Sequence, residues 1–312
     1  MKALFNVNFD TEKMEKISNL GYEITYIPEH ELKDQKDIYD AEVWFTYSGF
    51  EEVDIKKFKN LKYIHLTSTG FNHLPKDYIL DNNIVVSNNI TGYAIPIAES
   101  IVMYILEIYK HSHKMFKQQD NKVWKMDMKW SEISGKTVGF LGTGNIAKEA
   151  AKRLKCFGVE LIGVNTNGRD IENFDKCYAL SDSDEFFKKS DVIVGLMPST
   201  DKTSRVLNSR RMDIMKQGSV IVNIGRGSLI DEEALIYHID KFKGLALDVV
   251  ESEPLSEESI LWEHENVIIT PHNSWVSDQN KNRLFETLYN NLESYIKTGE
   301  PLHIVKDIKR GY

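Results

Sequence analysis

The segment that decides the fold spans residues 136–154 and has the sequence KTVGFLGTGNIAKEAAKRL. Its first part is an apolar run typical of a buried strand, and its last part favours a helix. The turn between them has the pattern G-x-G-x-x-A. Gly142 permits a tight turn, Gly144 lets a phosphate approach the backbone, and Ala147 lets helix and strand pack closely. The context predicts a turn that binds a dinucleotide pyrophosphate, the alternative being a purely structural connection.

The rest of the chain repeats this alternation of short apolar runs and helical patterns. It predicts an α/β fold in which helices cover both faces of parallel sheets. A first series of strands is predicted at residues 3–7, 23–26, 43–46, 63–66 and 84–86. A second series is predicted at residues 138–141, 161–164, 192–196, 220–223, 245–249 and 267–270. The second series has the spacing that successive βα units require.

Two long helical patterns define the domain organisation. A helix over about residues 95–116 connects the two series of strands, and a helix over 278–296 ends near a glycine and a proline. The tail that follows is too short for another domain, so we expect it to pack on the first one. The sequence therefore predicts one domain of residues 1–96 and 280–312, a second of residues 97–279, and a cleft between them.

Composition excludes several classes of partner. The 312 residues include 47 Asp and Glu against 39 Lys and Arg, a formal net charge of −8, so a nucleic-acid partner is not expected. Uninterrupted apolar runs are too short for a membrane span. Cys156 and Cys177 are too few for a disulfide framework or a zinc site; we expect each to be a small core residue and predict no metal. A reducing compartment, the cytoplasm, fits this composition.

The residues after the second strand of the second series bear on the choice of cofactor. A carboxylate is usual there to bind the adenosine ribose, but the sequence is NTNGR, from Asn165 to Arg169. Hydroxyl, amide and guanidinium donors suit a 2′-phosphate, so this departure predicts a preference for NADP(H) over NAD(H). We expect Thr166, Asn167 and Arg169 to bind that phosphate. The alternative is that they only shape a solvated loop.

Three further segments carry reactive side chains. They are VNIGRGSLIDE at 222–232, GLALDVVESEPL at 244–255 and NVIITPHNS at 266–274. Each follows or ends a predicted strand, which places it at the carboxyl edge of the sheet, where open α/β folds bind ligands.

In this order and spacing after the glycine turn, the three segments resemble the D-isomer-specific 2-hydroxyacid dehydrogenase family, and the similarity covers nearly the whole chain. Residues 67–73 resemble the substrate-carboxylate loop of that family, 89–99 its hinge, and 299–312 its closing segment. The resemblance implies a Rossmann-type cofactor domain and a smaller, flavodoxin-like substrate domain. It also places Arg226, Glu253 and His272 on the catalytic arginine, glutamate and histidine.

The chemistry requires these residue types on independent grounds. Hydride transfer to a 2-oxo acid leaves an alkoxide, so a proton must be delivered in the same step, and histidine suits that task. Glu253 would orient the imidazole of His272 and favour its protonated form. Arg226 would bind the substrate carboxylate and polarise the carbonyl. Each residue taken alone is more often structural, but the ordered triplet favours function.

The resemblance also implies the remaining site residues. Asp248 would bind the nicotinamide carboxamide or, alternatively, cap a turn. The full set expected at the cofactor is Thr69, Gly142, Thr143, Gly144, Asn145, Ile146, Asn165, Thr166, Asn167, Arg169, Pro198, Thr203, Ile224, Gly225, Arg226, Asp248, His272 and Ser274. The set expected at the substrate is Tyr47, Ser68, Thr69, Gly70, Arg226, His272 and Trp275.

Large rings near the site indicate a small substrate. Trp275 stands where many relatives have Gly or Ala, and Tyr47, Phe50 and Phe71 are expected to face the same cleft. Glyoxylate, hydroxypyruvate and pyruvate fit this expectation, and a substrate of the 3-phosphoglycerate type is the alternative.

Two other classes of protein share features of this sequence. A dinucleotide-sensing corepressor on the same fold would retain similar residues, and a formate-type dehydrogenase would have Gln in place of Glu253. Relatives commonly form dimers through the cofactor domain, and residues 114–130, here named the arm, are rich in large apolar groups. We expect a homodimer through the arm, the alternative being that the arm packs on its own domain.

Overall fold

The structure, a computed structural model, describes residues 1–71, 73–305 and 308. The strands in these residues are β1 (Lys2–Phe5), β2 (Glu23–Tyr26), β3 (Val43–Thr46), β4 (Tyr63–Leu66), β5 (Val85–Ser87), β6 (Thr137–Leu141), β7 (Glu160–Asn165), β8 (Lys176–Ala179), β9 (Val192–Gly195), β10 (Val220–Asn223), β11 (Gly244–Leu247) and β12 (Val267–Ile269). The helices are α1 (Thr11–Asn19), α2 (Lys76–Asp81), α3 (Ala94–Tyr109), α4 (Ser112–Asp120), α5 (Asn145–Leu154), α6 (Asp184–Lys189), α7 (Ser209–Ile214), α8 (Glu232–Tyr237) and α9 (Asn280–Thr298).

Contacts within the chain divide it into two units. One contains Met1–Tyr93 and Ser277–Tyr312, and the other contains Ala94–Val276. The observed junctions follow residues 93 and 276, so the junctions predicted after residues 96 and 279 are each three residues too far along the chain. That the first unit binds the substrate and the second the cofactor stays a prediction.

The first unit is built on a parallel sheet with the strand order β2-β1-β3-β4-β5. This is the flavodoxin-like order. Successive residues of β1 face opposite sides of the sheet, so Leu4 joins one apolar core while Ala3 and Phe5 join the other. The second core is covered by α9, whose apolar face contributes Leu284, Phe285, Leu288, Leu292 and Tyr295.

The second unit has a parallel sheet with the order β12-β11-β10-β9-β6-β7-β8. Counted from β6, this is the 3-2-1-4-5-6 order of dinucleotide-binding folds, extended by one strand. The direction of winding reverses at β6, and α5 follows that strand directly. Ala147, Ala150, Ala151 and Leu154 form one buried stripe of α5, against which α3 packs. The predicted α/β fold class is confirmed.

The structure corrects three details of the sequence prediction. The single helix expected over 95–116 is interrupted, because His111 adopts a left-handed conformation (φ +50°) between α3 and α4. The edge strand β8 was not predicted, since its sequence, KCYA, is short and half polar. Cys156 is exposed, whereas Cys177 is buried as expected.

Some predictions fall outside the described residues. These are Asn72 in the segment 67–73, and residues 306–307 and 309–312 in the closing segment. Within the part of the chain that is described, no helix has the length and apolar character needed to cross a membrane. The same part contains no group of three or more His, Cys, Asp or Glu side chains arranged to hold a metal ion.

Candidate active site

The loops at the carboxyl edge of the second sheet are joined by backbone hydrogen bonds that continue the strand pairing. They run between neighbouring strand ends, from Leu196 N to Leu141 O (2.9 Å), Ile224 N to Gly195 O (3.2 Å), Asp248 N to Asn223 O (3.0 Å) and Thr270 N to Leu247 O (3.1 Å). The segments predicted to carry the chemistry therefore start from adjacent points on one edge. Arg226 follows β10, Glu253 follows β11 and His272 follows β12.

The glycine turn after β6 has the geometry that a bound pyrophosphate requires. Gly142 has φ +103°, and a Cβ there would lie 3.2 Å from Leu196 O, so glycine is needed on both grounds. Gly144 precedes the first residue of α5, and a Cβ at Gly144 would meet nothing within 4 Å. The amino end of α5 is thus open to an anion, which its backbone N–H groups and dipole attract. These residues fit a dinucleotide cofactor.

Asn165, the last residue of β7, organises the loop that follows this strand. Its side chain is buried; Nδ2 donates to Arg169 O (2.9 Å), and Oδ1 accepts from the N–H groups of Asn167 (3.3 Å) and Arg169 (3.1 Å). Thr143 Oγ1 lies 3.4 Å from the same Nδ2. The loop therefore presents the exposed side chains of Thr166, Asn167 and Arg169 around a buried amide.

A second loop, after β9, carries the predicted cofactor residues Pro198 and Thr203. The Thr203 hydroxyl is buried, donates to Pro198 O (2.5 Å) and accepts from Thr200 N (2.9 Å). Its hydrogen bonds are therefore made within the loop, and they fix the turn that follows β9.

His272 and Glu253 form a close pair. His272 Nδ1 lies 2.8 Å from Glu253 Oε2, and the two side chains are 45% and 41% exposed. The backbone of His272 is left-handed (φ +51°) and is held there by donation of its N–H to Asp248 O (2.9 Å) and Thr270 O (3.0 Å). Because Nδ1 faces the carboxylate, Nε2 is the ring nitrogen at which a proton can be exchanged with a ligand.

Asp248 is buried beneath this pair and holds the His272 loop. Its Oδ1 accepts from Thr270 Oγ1 (2.6 Å) and Asn273 N (3.1 Å), and its Oδ2 accepts from Ser274 N (3.2 Å). These are the contacts of a turn cap, and binding of the nicotinamide carboxamide by Asp248 stays a prediction. Trp275 Nε1 donates to His272 O (3.0 Å), which ties the indole to the same loop.

Arg226 is positioned by a residue that sequence reasoning did not assign. Asn223, fully buried at the end of β10, donates from Nδ2 to Arg226 O (3.0 Å) and accepts from Gly225 N (3.3 Å). The half-buried guanidinium of Arg226 donates to Gly225 O (2.7 Å). An amide at the end of an otherwise apolar strand was the available signal, since buried polar groups need partners.

In the first unit, the predicted substrate residues Ser68, Thr69 and Gly70 lie in the loop after β4. Ser68 Oγ donates to Gly70 O (2.7 Å) and Thr69 Oγ1 donates to Asn89 O (2.8 Å), so both hydroxyls stabilise the loop. Tyr93 donates to Thr67 O (2.9 Å) from the same unit, and burial raises the pKa of its hydroxyl, which therefore stays a neutral donor.

Tyr47 follows β3 at the same edge of the first sheet. Its ring is 51% exposed and lies 5.0 Å from the ring of His73. Glu29 Oε1 accepts from Tyr47 N (3.1 Å) and Ser48 N (2.6 Å), a support that sequence reasoning missed because Glu29 lies far from β3 in the chain. The expectation that Phe71 faces the cleft is wrong, since Phe71 is buried in the apolar core of this unit.

Comparison with known proteins identifies the family. The model described as "D-isomer specific 2-hydroxyacid dehydrogenase, NAD binding domain" matches residues 102–274. The chain is 32% identical over 259 residues to a hydroxypyruvate reductase of Thermotoga maritima, covering 80% of this chain and 84% of that protein. It is 30% identical over 256 residues to a glyoxylate reductase of Thermofilum pendens, covering 79% and 75%. The solved structure of a glyoxylate reductase from Paecilomyes thermophila matches with a TM-score of 0.85, at 24% identity and 99% coverage of both chains.

The fold, the site and these matches define an NAD(P)-dependent oxidoreductase that acts on the CH–OH group of 2-hydroxy acids. The chain belongs to the D-isomer specific 2-hydroxyacid dehydrogenase family. The matches give no support to the corepressor alternative.

Proposed function

We propose that this protein is an NADPH-preferring reductase of small 2-oxo acids in which Arg226, Glu253 and His272 carry the chemistry. The observation that supports these roles most directly is the 2.8 Å contact between His272 Nδ1 and Glu253 Oε2. These side chains stand on the loops after β12 and β11, and β11 in turn pairs with β10, which precedes the Arg226 loop. A bound nicotinamide would supply the hydride.

The residues of the chain would bind the substrate and deliver the proton. His272 delivers a proton from Nε2 to the developing alkoxide, and Glu253 keeps the imidazole oriented and stabilises its positive charge. Arg226 binds the carboxylate of the 2-oxo acid, for which a guanidinium is the matching donor. Asp248 and Asn223 keep the His272 and Arg226 loops in place through the hydrogen bonds described above.

The loop after β7 supports the proposed preference for NADPH. No carboxylate stands between Asn165 and Arg169, and Asn165 is occupied within the loop. A 2′-phosphate would meet the exposed side chains of Thr166, Asn167 and Arg169, whose hydroxyl, amide and guanidinium groups can donate to it. Gly142, Gly144 and the start of α5 would hold the pyrophosphate.

The substrate is proposed to be small, of the glyoxylate, hydroxypyruvate or pyruvate type. The Trp275 indole, which donates to His272 O, adds bulk to the loop that bears the proposed catalytic histidine. The relatives named as hydroxypyruvate and glyoxylate reductases point to the same class. Tyr47, Ser68, Thr69 and Gly70 are proposed to contact the substrate from the first unit.

We further infer that the protein works in the cytoplasm as a homodimer. Its two cysteines are free, one of them exposed, which suits a reducing compartment. The arm exposes large apolar side chains, which a second copy of the chain would cover. No nucleic acid, membrane or metal is part of the proposal.

The decisive experiment is steady-state kinetics of His272→Ala and Glu253→Gln with NADPH and a panel of glyoxylate, hydroxypyruvate, pyruvate and 3-phosphohydroxypyruvate. Each variant should lose turnover by about 100-fold or more, because proton delivery is impaired. Dinucleotide affinity, measured by fluorescence titration, should stay nearly unchanged. His264→Ala, a histidine to which no role is assigned, is the matched control. Near-normal turnover of His272→Ala would rule out the mechanism.

A further inference from the structure

The loop that bears Arg226 and the loop that bears Glu253 touch through their backbones at one point. A Cβ at Gly227 would lie 1.8 Å from Val250 O and 2.6 Å from Glu251 N. Only a residue without a side chain can occupy this position while the two loops keep their places. The contact point is one residue after Arg226 and two residues before Glu253 on the opposing loop.

A charged contact holds the same two loops from the outside. Arg205 Nη2 donates to Glu251 Oε1 (3.0 Å). Arg205 Nη1 lies 4.0 Å from Oδ2 of Asp231, a residue that follows the Arg226 loop. Arg205 is itself bound to that loop, because its N–H donates to Ser228 O (2.7 Å). One residue thus bridges the loop after β10 and the loop after β11.

The backbone of Arg205 indicates that this bridge is maintained against strain. Its φ of +50° lies in the left-handed region, which a non-glycine residue adopts only when its surroundings hold it there. The hydrogen bonds to Ser228 O and Glu251 Oε1 provide that restraint. His272 adopts the same unusual conformation at φ +51°.

From this geometry we propose that Gly227, Arg205 and Glu251 are positioning residues that fix Glu253, and through it His272, relative to Arg226. Within the Glu253 loop, Val250 N lies 3.4 Å from Glu253 Oε1, so a shift at Val250–Glu251 is passed directly to the catalytic carboxylate. The inference rests on the proposed roles of Arg226, Glu253 and His272. Exposed ion pairs contribute little to the free energy of unfolding, so the proposed role of the Arg205–Glu251 pair is to position Glu253 and not to stabilise the fold.

The test is a double-mutant cycle between Glu251→Gln and Glu253→Gln. Alone, Glu251→Gln should lower kcat about tenfold, because a displaced Glu253 orients His272 poorly. In the Glu253→Gln background the same change should have almost no further effect, since it acts only through Glu253. Dinucleotide affinity and thermal stability should stay close to those of the parent enzyme. Asp184→Asn, which breaks the exposed ion pair with Arg210 in the same unit, is the matched control.

The outcomes separate this inference from the proposed function. If Glu253→Gln leaves kcat unchanged, the proposed role of Glu253 is wrong. If Glu253→Gln lowers kcat while Glu251→Gln leaves it unchanged, or lowers it equally in both backgrounds, the positioning inference is wrong. Gly227→Ala provides a second measurement: it should lower kcat about 100-fold and also lose most of its effect in the Glu253→Gln background.

Discussion

Arg169 gives the cofactor proposal a test at the level of one residue. Its side chain is exposed and the loop is held by Asn165, so Arg169→Gln should leave the fold intact. A lost charge-assisted hydrogen bond to phosphate corresponds to about 1.5–3 kcal/mol. We therefore expect kcat/KM for NADPH to fall at least about tenfold while kcat/KM for NADH changes little. Arg210→Gln, another exposed arginine of the same unit, is the control. An equal loss with both cofactors would contradict the 2′-phosphate site.

The buried side chain of His65 should make the free energy of unfolding depend on pH. The ring is fully buried on β4 of the first sheet, with Nδ1 2.6 Å from Ser87 Oγ and 3.1 Å from the Tyr63 hydroxyl. Burial, and secondarily the charge of His303, lowers the pKa of His65 to about 3. The unfolded chain, with a histidine pKa near 6.5, therefore binds a proton that the folded protein excludes between about pH 6.5 and 3.

Stability must accordingly fall as the pH drops below about 6.5. From pH 6 to pH 4, this one group should remove about 2–3 kcal/mol from the free energy of unfolding. Urea unfolding at pH 6, 5 and 4 measures the effect, and His65→Gln should show a flatter dependence on pH than the parent protein. His30→Gln is the control, because His30 is exposed. Parallel pH dependences for His65→Gln and the parent protein would contradict the assignment.

At the scale of residues, the sequence predicted the reactive groups better than the groups that hold them. Arg226, Glu253 and His272 follow strands in a recognisable order, so their shared edge follows from the topology of parallel sheets. Glu29 and Arg205 had no such signal, because their partners are distant in the chain or depend on a left-handed backbone. Their roles arise from contacts that only the folded chain creates.

At the scale of elements, α9 shows how the end of the chain completes the first unit. Leu292 is fully buried in the core shared with β1 and β3, and its carbonyl oxygen accepts from the Tyr22 hydroxyl (2.9 Å). Leu292→Ala should destabilise the protein by about 2–5 kcal/mol, because it leaves a cavity. Leu302→Ala, at a position 62% exposed, is the matched control and should change stability by less than about 0.5 kcal/mol. Denaturant unfolding distinguishes them; similar losses for both variants would contradict the packing.

Elements with a strong apolar period were predicted well, and those set by local conformation were not. The stripe of isoleucines in α3 and the apolar face of α9 identified both helices, and β2, β3, β4 and β10 have the predicted bounds. The break at His111 depends on a left-handed residue stabilised by a 2.7 Å contact between His111 Nδ1 and Asp127 Oδ2. A left-handed residue and a contact with a distant side chain leave no periodic pattern in the sequence, so the sequence favoured one continuous helix.

At the scale of the whole molecule, the net negative charge contrasts with the anionic ligands that are proposed. The net charge of −8 disfavours polyanions, yet the proposed ligands are small anions. Arg226 and Arg169 would supply the local positive charge that those ligands need, each on a loop held by a buried asparagine.

The arm has an unusually apolar surface. Its exposed apolar side chains are Met115, Phe116, Val123, Trp124, Met126, Met128 and Trp130.

Soluble proteins rarely leave so many large apolar groups exposed without a partner, and a two-fold dimer would bury each arm against the other copy. We therefore predict that sedimentation at micromolar concentration gives twice the 36.0 kDa mass of one chain. Replacing Trp124 and Met126 by Asp should shift the protein to the mass of a single chain, because both side chains are more than 80% exposed and would place charges in the interface. Tyr237→Asp, at an equally exposed ring outside the arm, should leave the dimer intact. A single-chain mass for the unmodified protein would refute the dimer.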